Sequence, residues 1–100
     1  FYFIHSMEFL YYLHDPQSML KQLHENWLNS GGMLVAGIDH YRENDDSHDW
    51  PDALNVHMTT LSIDEWKAAM IEAGFIDVEM HQVAASESFL GTLVMCGKKN

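Results

Sequence analysis

Phe1, Tyr2, Phe3 and Ile4 form an unbroken apolar run, the pattern of a strand covered on both faces in the interior of a parallel sheet. Polar character returns at His5, Ser6 and Glu8. Open α/β sheets bind ligands outside the carboxyl ends of their parallel strands, so this segment is the first place to look for chemistry. Asp15 then suits an N-cap and Pro16 a first helical turn, where its missing N–H costs nothing. Met19, Leu20, Leu23 and Trp27 recur at helical spacing, with Lys21, Gln22, Glu25 and Asn26 on the other face, and predict a helix over residues 16–28. Asn29, Ser30, Gly31 and Gly32 tolerate positive φ and turn the chain. A second buried strand follows over residues 33–38.

From residue 39 to 60 the periodicity fails, and Asp, Asn, His and Ser dominate alongside Tyr41, Trp50 and Pro51. No regular structure is predicted here, although the aromatic residues and Met58 imply partial packing. Loops this long in compact domains are usually functional or disordered. If the two strands are parallel neighbours, this loop starts beside His5 and Glu8. Ser62 and Glu65 fit a capping box. Trp66, Ala69, Met70 and Ala73 make a buried helical stripe, and Gly74 suits a left-handed terminator with Phe75 folding back. Residues 76–83 alternate Ile76, Val78 and Met80 against Asp77, Glu79 and His81, a strand with one wet face. Residues 84–88 link to a last buried strand over residues 89–96.

The predicted order is β-α-β-loop-α-β-β, an α/β fold in a single domain over residues 1–100. The first two strands run parallel, the last antiparallel, and helices are expected on both sheet faces. Met19, Met33, Met70 and Met80 read as core.

Fifteen acidic and five basic residues give a formal charge of −10, which repels nucleic-acid backbones and anionic membrane surfaces. Neither is expected as a partner. Protonating the seven histidines would bring the charge to −3, so solubility should be poorer near pH 6 than at pH 8. Cys96 is the only cysteine. No internal disulfide can form, its apolar setting reads as core, and a cytoplasmic location is expected. His40, His48 and His57 with Asp39, Asp45, Asp46 and Asp49 lack the His-x-x-x-His or Cys-pair spacing of a metal site, and no metal is expected.

The segment from Phe3 through His5, Ser6, Met7, Glu8, Tyr11 and Asp15 to Pro16, the run Trp27-Leu28-Asn29-Ser30-Gly31-Gly32-Met33-Leu34-Val35, and Leu61-Ser62-Ile63-Asp64-Glu65-Trp66 leading to Glu72-Ala73-Gly74-Phe75 together resemble the C-terminal half of class I S-adenosylmethionine-dependent methyltransferases. The resemblance implies strands four to seven of a Rossmann-like sheet, with the last strand antiparallel. It implies S-adenosylmethionine as the cofactor of a longer parent. The glycine-rich turn and the ribose-binding acid of that family would lie upstream of Phe1, so this chain is expected to be inactive alone. His5, Ser6 and Met7 match the cofactor-facing tip of the fourth strand, with Glu8 and Tyr11 near the entrance for cofactor or acceptor; Tyr11 is counted with the cofactor contacts. Asp39, His40 and Tyr41 match the loop that helps form the pocket for a small-molecule methyl acceptor. His5, Glu8, His40 and His57 are the candidate general bases, needed only where the acceptor loses a proton.

The alternative reading is a non-enzymatic α/β module that associates through its first strand. Both readings leave the outer edge of that strand without a neighbour, and exposed edges pair with other chains. A two-fold homodimer joined through residues 1–6 is therefore expected.

Overall fold

The computed structural model describes residues 1–83 and 91–100, with the backbone alone at Asp46. Four strands, β1 (Phe3–Met7), β2 (Met33–Ile38), β3 (Ile76–Val83) and β4 (Thr92–Lys98), form one sheet in the order β1-β2-β4-β3. β1 and β2 are parallel, and β4 runs antiparallel to both of its neighbours, β2 and β3. The α/β class, the element order and the antiparallel last strand are as expected. The link at residues 84–88 and the residues Phe89 and Leu90, expected to open the last strand, lie outside the described residues.

Helix α1 (Pro16–Gln22) begins where Asp15 accepts a hydrogen bond from Ser18 N at 3.1 Å. It continues through a wider, π-wound turn at Leu23–Trp27. That winding carries Trp27 off the buried stripe expected of it: the side chain is 52% exposed and stacks on Phe1 at a centroid distance of 6.1 Å. The loop of residues 39–60 is more regular than its sequence suggests, with a 3-10 turn at Asp45–Ser47 and a short helix α2 (Trp50–Leu54). Helix α3 (Ile63–Glu72) carries the expected capping box: Glu65 N donates to Ser62 Oγ at 3.0 Å, and Ser62 N donates to Glu65 Oε1 at 3.1 Å. It ends at Gly74 with φ +109°, where Phe75 N reaches Met70 O and Gly74 N reaches Ile71 O, the paired bonds of a Schellman terminus.

Leu34, Ala36 and Ile38 of β2 and Leu93 and Met95 of β4 share one sheet face, buried with Leu20, Trp66, Met70 and Phe75. Gly97 belongs there too, since a Cβ on it would lie 2.8 Å from Met70 Cε and 2.9 Å from Phe75 Cβ. Both α1 and α3 pack on this side. Helices on both faces were expected; instead the opposite face carries Phe3, His5 and Met7, Met33 and Val35, and Val94 and Cys96, none of them fully buried. Met33 and Cys96 therefore leave the core assigned to them. Phe1, Tyr2 and Phe3 are 67%, 72% and 57% exposed, rather than enclosed in a sheet interior. The reason is positional: β1 is an edge strand, and among the described residues β2 is its only partner.

Candidate functional site

Parallel pairing brings the carboxyl ends of β1 and β2 together, with Met7 opposite Gly37. Gly37 has no side chain, and Met7 fills the space: a Cβ there would sit 2.6 Å from Met7 Sδ. The next residue leaves the strand sharply. Glu8 has φ +55°, a left-handed conformation that costs a non-glycine residue roughly 1–2 kcal/mol. Its N–H still donates to Gly37 O at 2.7 Å. The bend turns the carboxylate toward the loop after β2, where Oε2 accepts from the Tyr11 hydroxyl at 2.5 Å and from Asp39 N at 3.4 Å. Asp39 is held by Thr92, whose hydroxyl donates to Asp39 Oδ1 at 2.6 Å, and by Asn44, whose amide donates to Asp39 O at 2.8 Å. Glu8, Tyr11 and Asp39, drawn from two sequence-distant segments, thus form one polar wall.

The electrostatics follow from this packing. Partial burial raises the Glu8 carboxyl above the ordinary carboxylate range, and the Asp39 charge adds to the rise. The hydrogen bond from Tyr11 acts in the opposite direction. Burial, then the Glu8 carboxylate it bonds, pushes the Tyr11 phenol far above its usual value. Tyr11 therefore stays a hydrogen-bond donor, and Glu8 is the group best placed to exchange a proton.

His40 is fully buried beneath this wall, its ring 5.6 Å from that of Tyr11. Nδ1 lies 3.1 Å from Ser47 O, so it must carry the proton and donate; Nε2 then accepts from the Thr60 hydroxyl at 2.7 Å. Burial lowers its pKa, against the Ser47 bond, which raises it. The ring is neutral and both nitrogens are engaged. Asn44 and Ser47 are buried beside it. Tyr41 is also buried, but its hydroxyl points toward β3 and β4, donating to Gly91 O at 2.6 Å and accepting from Gln82 Nε2 at 3.1 Å.

Residues 56–60 run as a strap along the turn that carries Tyr11 and along His40. Thr59 N donates to Tyr11 O at 2.6 Å, and its hydroxyl donates to Leu13 O. Met58 is buried beneath it, while His57 is exposed and stacks on His14. Of the residues singled out from sequence, the structure gathers Glu8, Tyr11, Asp39 and His40. His5 projects with Met7 from the opposite sheet face, Ser6 from the helix-bearing face, and His57 lies on the outside of the strap. Thr60 and Thr92 were missed; only the folded chain brings their hydroxyls to His40 and Asp39. Among the described residues, no three His, Cys, Asp or Glu side chains converge as metal ligands, and no helix is long and apolar enough to cross a membrane.

A sequence profile described as a methyltransferase domain matches residues 1–80. No curated protein sequence matches the chain. Among solved structures, a chain in a complex of the Haloferax volcanii Trm112 methyltransferase activator is 25% identical with a TM-score of 0.84, over 97% of this chain and 53% of its own. PigF with SAH is 15% identical at a TM-score of 0.78, over 99% and 34%. An S-adenosylmethionine-dependent methyltransferase from Thermotoga maritima is 22% identical at a TM-score of 0.75, over 100% and 56%. The chain thus spans between a third and little more than half of the length of these neighbours.

Proposed function

The chain belongs to the methyltransferase domain family, and from that premise we propose that it is part of an S-adenosylmethionine-dependent methyltransferase acting on a small-molecule acceptor, inactive without further chain. The observation that carries this is Glu8: a strained residue at the end of a parallel strand, its partly buried carboxylate held by Tyr11 and the Asp39 N–H.

The residues present fit one wall of a cofactor site. Met7 and Glu8 form the tip of β1, Tyr11 backs them, and Ser6 and His5 flank the tip; the free edge of β1 leaves the other side open. S-adenosylmethionine would supply a methyl group on a positively charged sulfur. Asp39, His40 and Tyr41 shape the acceptor side, Asp39 through its fixed backbone and the other two through packing. Methyl transfer requires an acceptor lone pair in line with the methyl carbon, so positioning supplies much of the acceleration. Glu8 takes the proton from an acceptor that has one to lose, its raised pKa bringing it nearer to neutral pH. His5 and His57 remain weaker candidates for that role. His40, with both nitrogens bonded, is assigned to holding the loop.

The test is equilibrium binding of S-adenosylhomocysteine to the 100-residue chain and to the product of the same reading frame extended upstream of Phe1. Binding by the extended protein alone is expected. Binding by neither refutes the methyltransferase reading, and binding by the short chain refutes its incompleteness. We place the protein in the cytoplasm, without nucleic-acid or membrane partners. We further expect the chain to form a two-fold homodimer through the free edge of residues 1–6, with Phe1, Tyr2 and Phe3 covered. A single monomeric boundary in sedimentation velocity at tens of micromolar would refute that association.

A further inference from the structure

The strap along the candidate site is fastened at its outer end by two imidazoles. The rings of His14 and His57 stack at a centroid distance of 3.7 Å and an interplanar angle of 15°. Both side chains are exposed to solvent. His57 is also tied inward: because the Thr59 hydroxyl donates to Leu13 O, it must accept from His57 Nε2, 3.0 Å away. The stack, this hydrogen bond and Thr59 N to Tyr11 O form one continuous fastening from His14 to the backbone of Tyr11. One residue further on, Thr60 bonds His40.

We infer that the His14–His57 stack is a proton-operated clasp that holds residues 56–60 against Tyr11 and His40 at neutral pH and releases them when both rings are charged.

A single proton leaves the clasp closed. A protonated His57 still donates through Nε2, and a charged ring can face a neutral one. Two positive rings at this separation repel. On the turn side the ionisable groups are Glu8, Tyr11, Tyr12 and Asp15. Glu8 is bonded to Tyr11 and Asp39, and Asp15 caps α1 at Ser18. On the loop side they are His40, Asp49 and Asp52; His40 is bonded to Ser47 and Thr60. Among the described residues, neither stacked ring makes an ion pair with a carboxylate. Charging both rings therefore favours the open strap over the closed one. By linkage, falling pH opens it. Histidine is the side chain whose ordinary titration falls in this range. Release breaks the bond from Thr59 N to Tyr11 O and uncovers the backbone of Tyr11, whose hydroxyl holds Glu8.

The inference rests on the proposed function only in treating Glu8 and Tyr11 as the site, and its test uses neither cofactor nor acceptor. The readout is the amide hydrogen-exchange protection factor of Thr59 in the full chain, between pH 7.5 and 5.5, with the ring signals of His14 and His57 followed by NMR. Protection should fall about tenfold in the wild type as both rings charge, and stay level in His14→Gln and His57→Gln. Where His14→Gln does not fold, His14→Phe keeps a ring on His57 without the proton and should also stay level. Level protection in the wild type, or the same fall in either single variant, would overturn the clasp. Failure of S-adenosylhomocysteine to bind the extended protein would leave this result unaffected.

Discussion

Replacing Glu8 by Gln should stabilise the protein while removing the proposed proton acceptor. An amide oxygen can accept from the Tyr11 hydroxyl and from Asp39 N as the carboxylate does, so both bonds survive. What disappears is a partly desolvated charge beside Asp39. Glu8 remains partly open to water, and screening holds the gain to about 0.5–1 kcal/mol at pH 7.5. With a urea slope of about 1 kcal/mol/M for a domain of this size, the midpoint should rise by about 0.5–1 M. The dependence on pH is the sharper test. A carboxyl whose folded pKa is raised binds its proton more tightly in the folded state. Its stability penalty is absent below the unfolded pKa and grows as pH rises through the folded value. The advantage of the Gln variant should therefore be full at pH 7.5 and vanish near pH 4. Urea unfolding followed by tryptophan fluorescence, at one fixed low concentration because association would shift the midpoint, measures both. A variant less stable than wild type at pH 7.5, or a gain unchanged at pH 4, would refute this account of Glu8.

Tyr41→Phe removes a buried hydroxyl that bonds Gly91 O and Gln82, and thermal unfolding should show a loss of about 1–2 kcal/mol as the Gly91 carbonyl loses its partner. Gly97→Ala forces a methyl to 2.8 Å from Met70 Cε and 2.9 Å from Phe75 Cβ. The second contact cannot swing away, so overpacking should cost about 1–3 kcal/mol by urea midpoint. Ser62→Ala should cost about 1 kcal/mol through the lost N-cap of α3. The acid limb of the stability profile should be largely kept: the residue-62 N–H, which alanine retains, holds the Glu65 carboxyl below its ordinary value, with the Ser62 hydroxyl and Arg42 adding to it, a contribution present above the unfolded pKa and lost as pH falls through the folded one.

The parts of this fold that the sequence reveals are those decided by neighbours within one turn. Asp15-Pro16, Ser62 with Glu65, and Gly74 with Phe75 each close a hydrogen bond over three to five residues, and each is found as expected. Trp27 shows where local pattern fails. Its spacing is helical, but one π-wound turn rotates it out of the stripe, and the Phe1 ring and Phe1 N at Trp27 O hold it there. Apolar runs say that a strand is apolar without saying what covers it. For that reason β1 and the Met33 and Cys96 side of the sheet read as enclosed when they are not. At the site, Glu8 and Asp39 were legible as strand-end polar residues, whereas Thr60 and Thr92 act across 20 and 53 residues respectively and carry no local signal.

Glu8 and His40 were both candidates for proton transfer, and their surroundings separate them. Every polar atom of the His40 ring is matched, by Ser47 O and the Thr60 hydroxyl, so the burial that lowers its basicity is offset by good bonds and the residue gains nothing by changing state. Glu8 carries three unfavourable features at once: left-handed backbone, a partly desolvated carboxylate and a neighbouring Asp39. Such features persist only where the surrounding structure over-determines them. Here Gly37 O fixes the backbone, and Tyr11 and Asp39 N fix the carboxylate. Protonation relieves the desolvation and the repulsion without breaking either bond donated to Oε2, if the proton is taken on Oε1. A group that can accept a proton without rearranging its neighbours is suited to do so in a reaction, which supports the role proposed for Glu8.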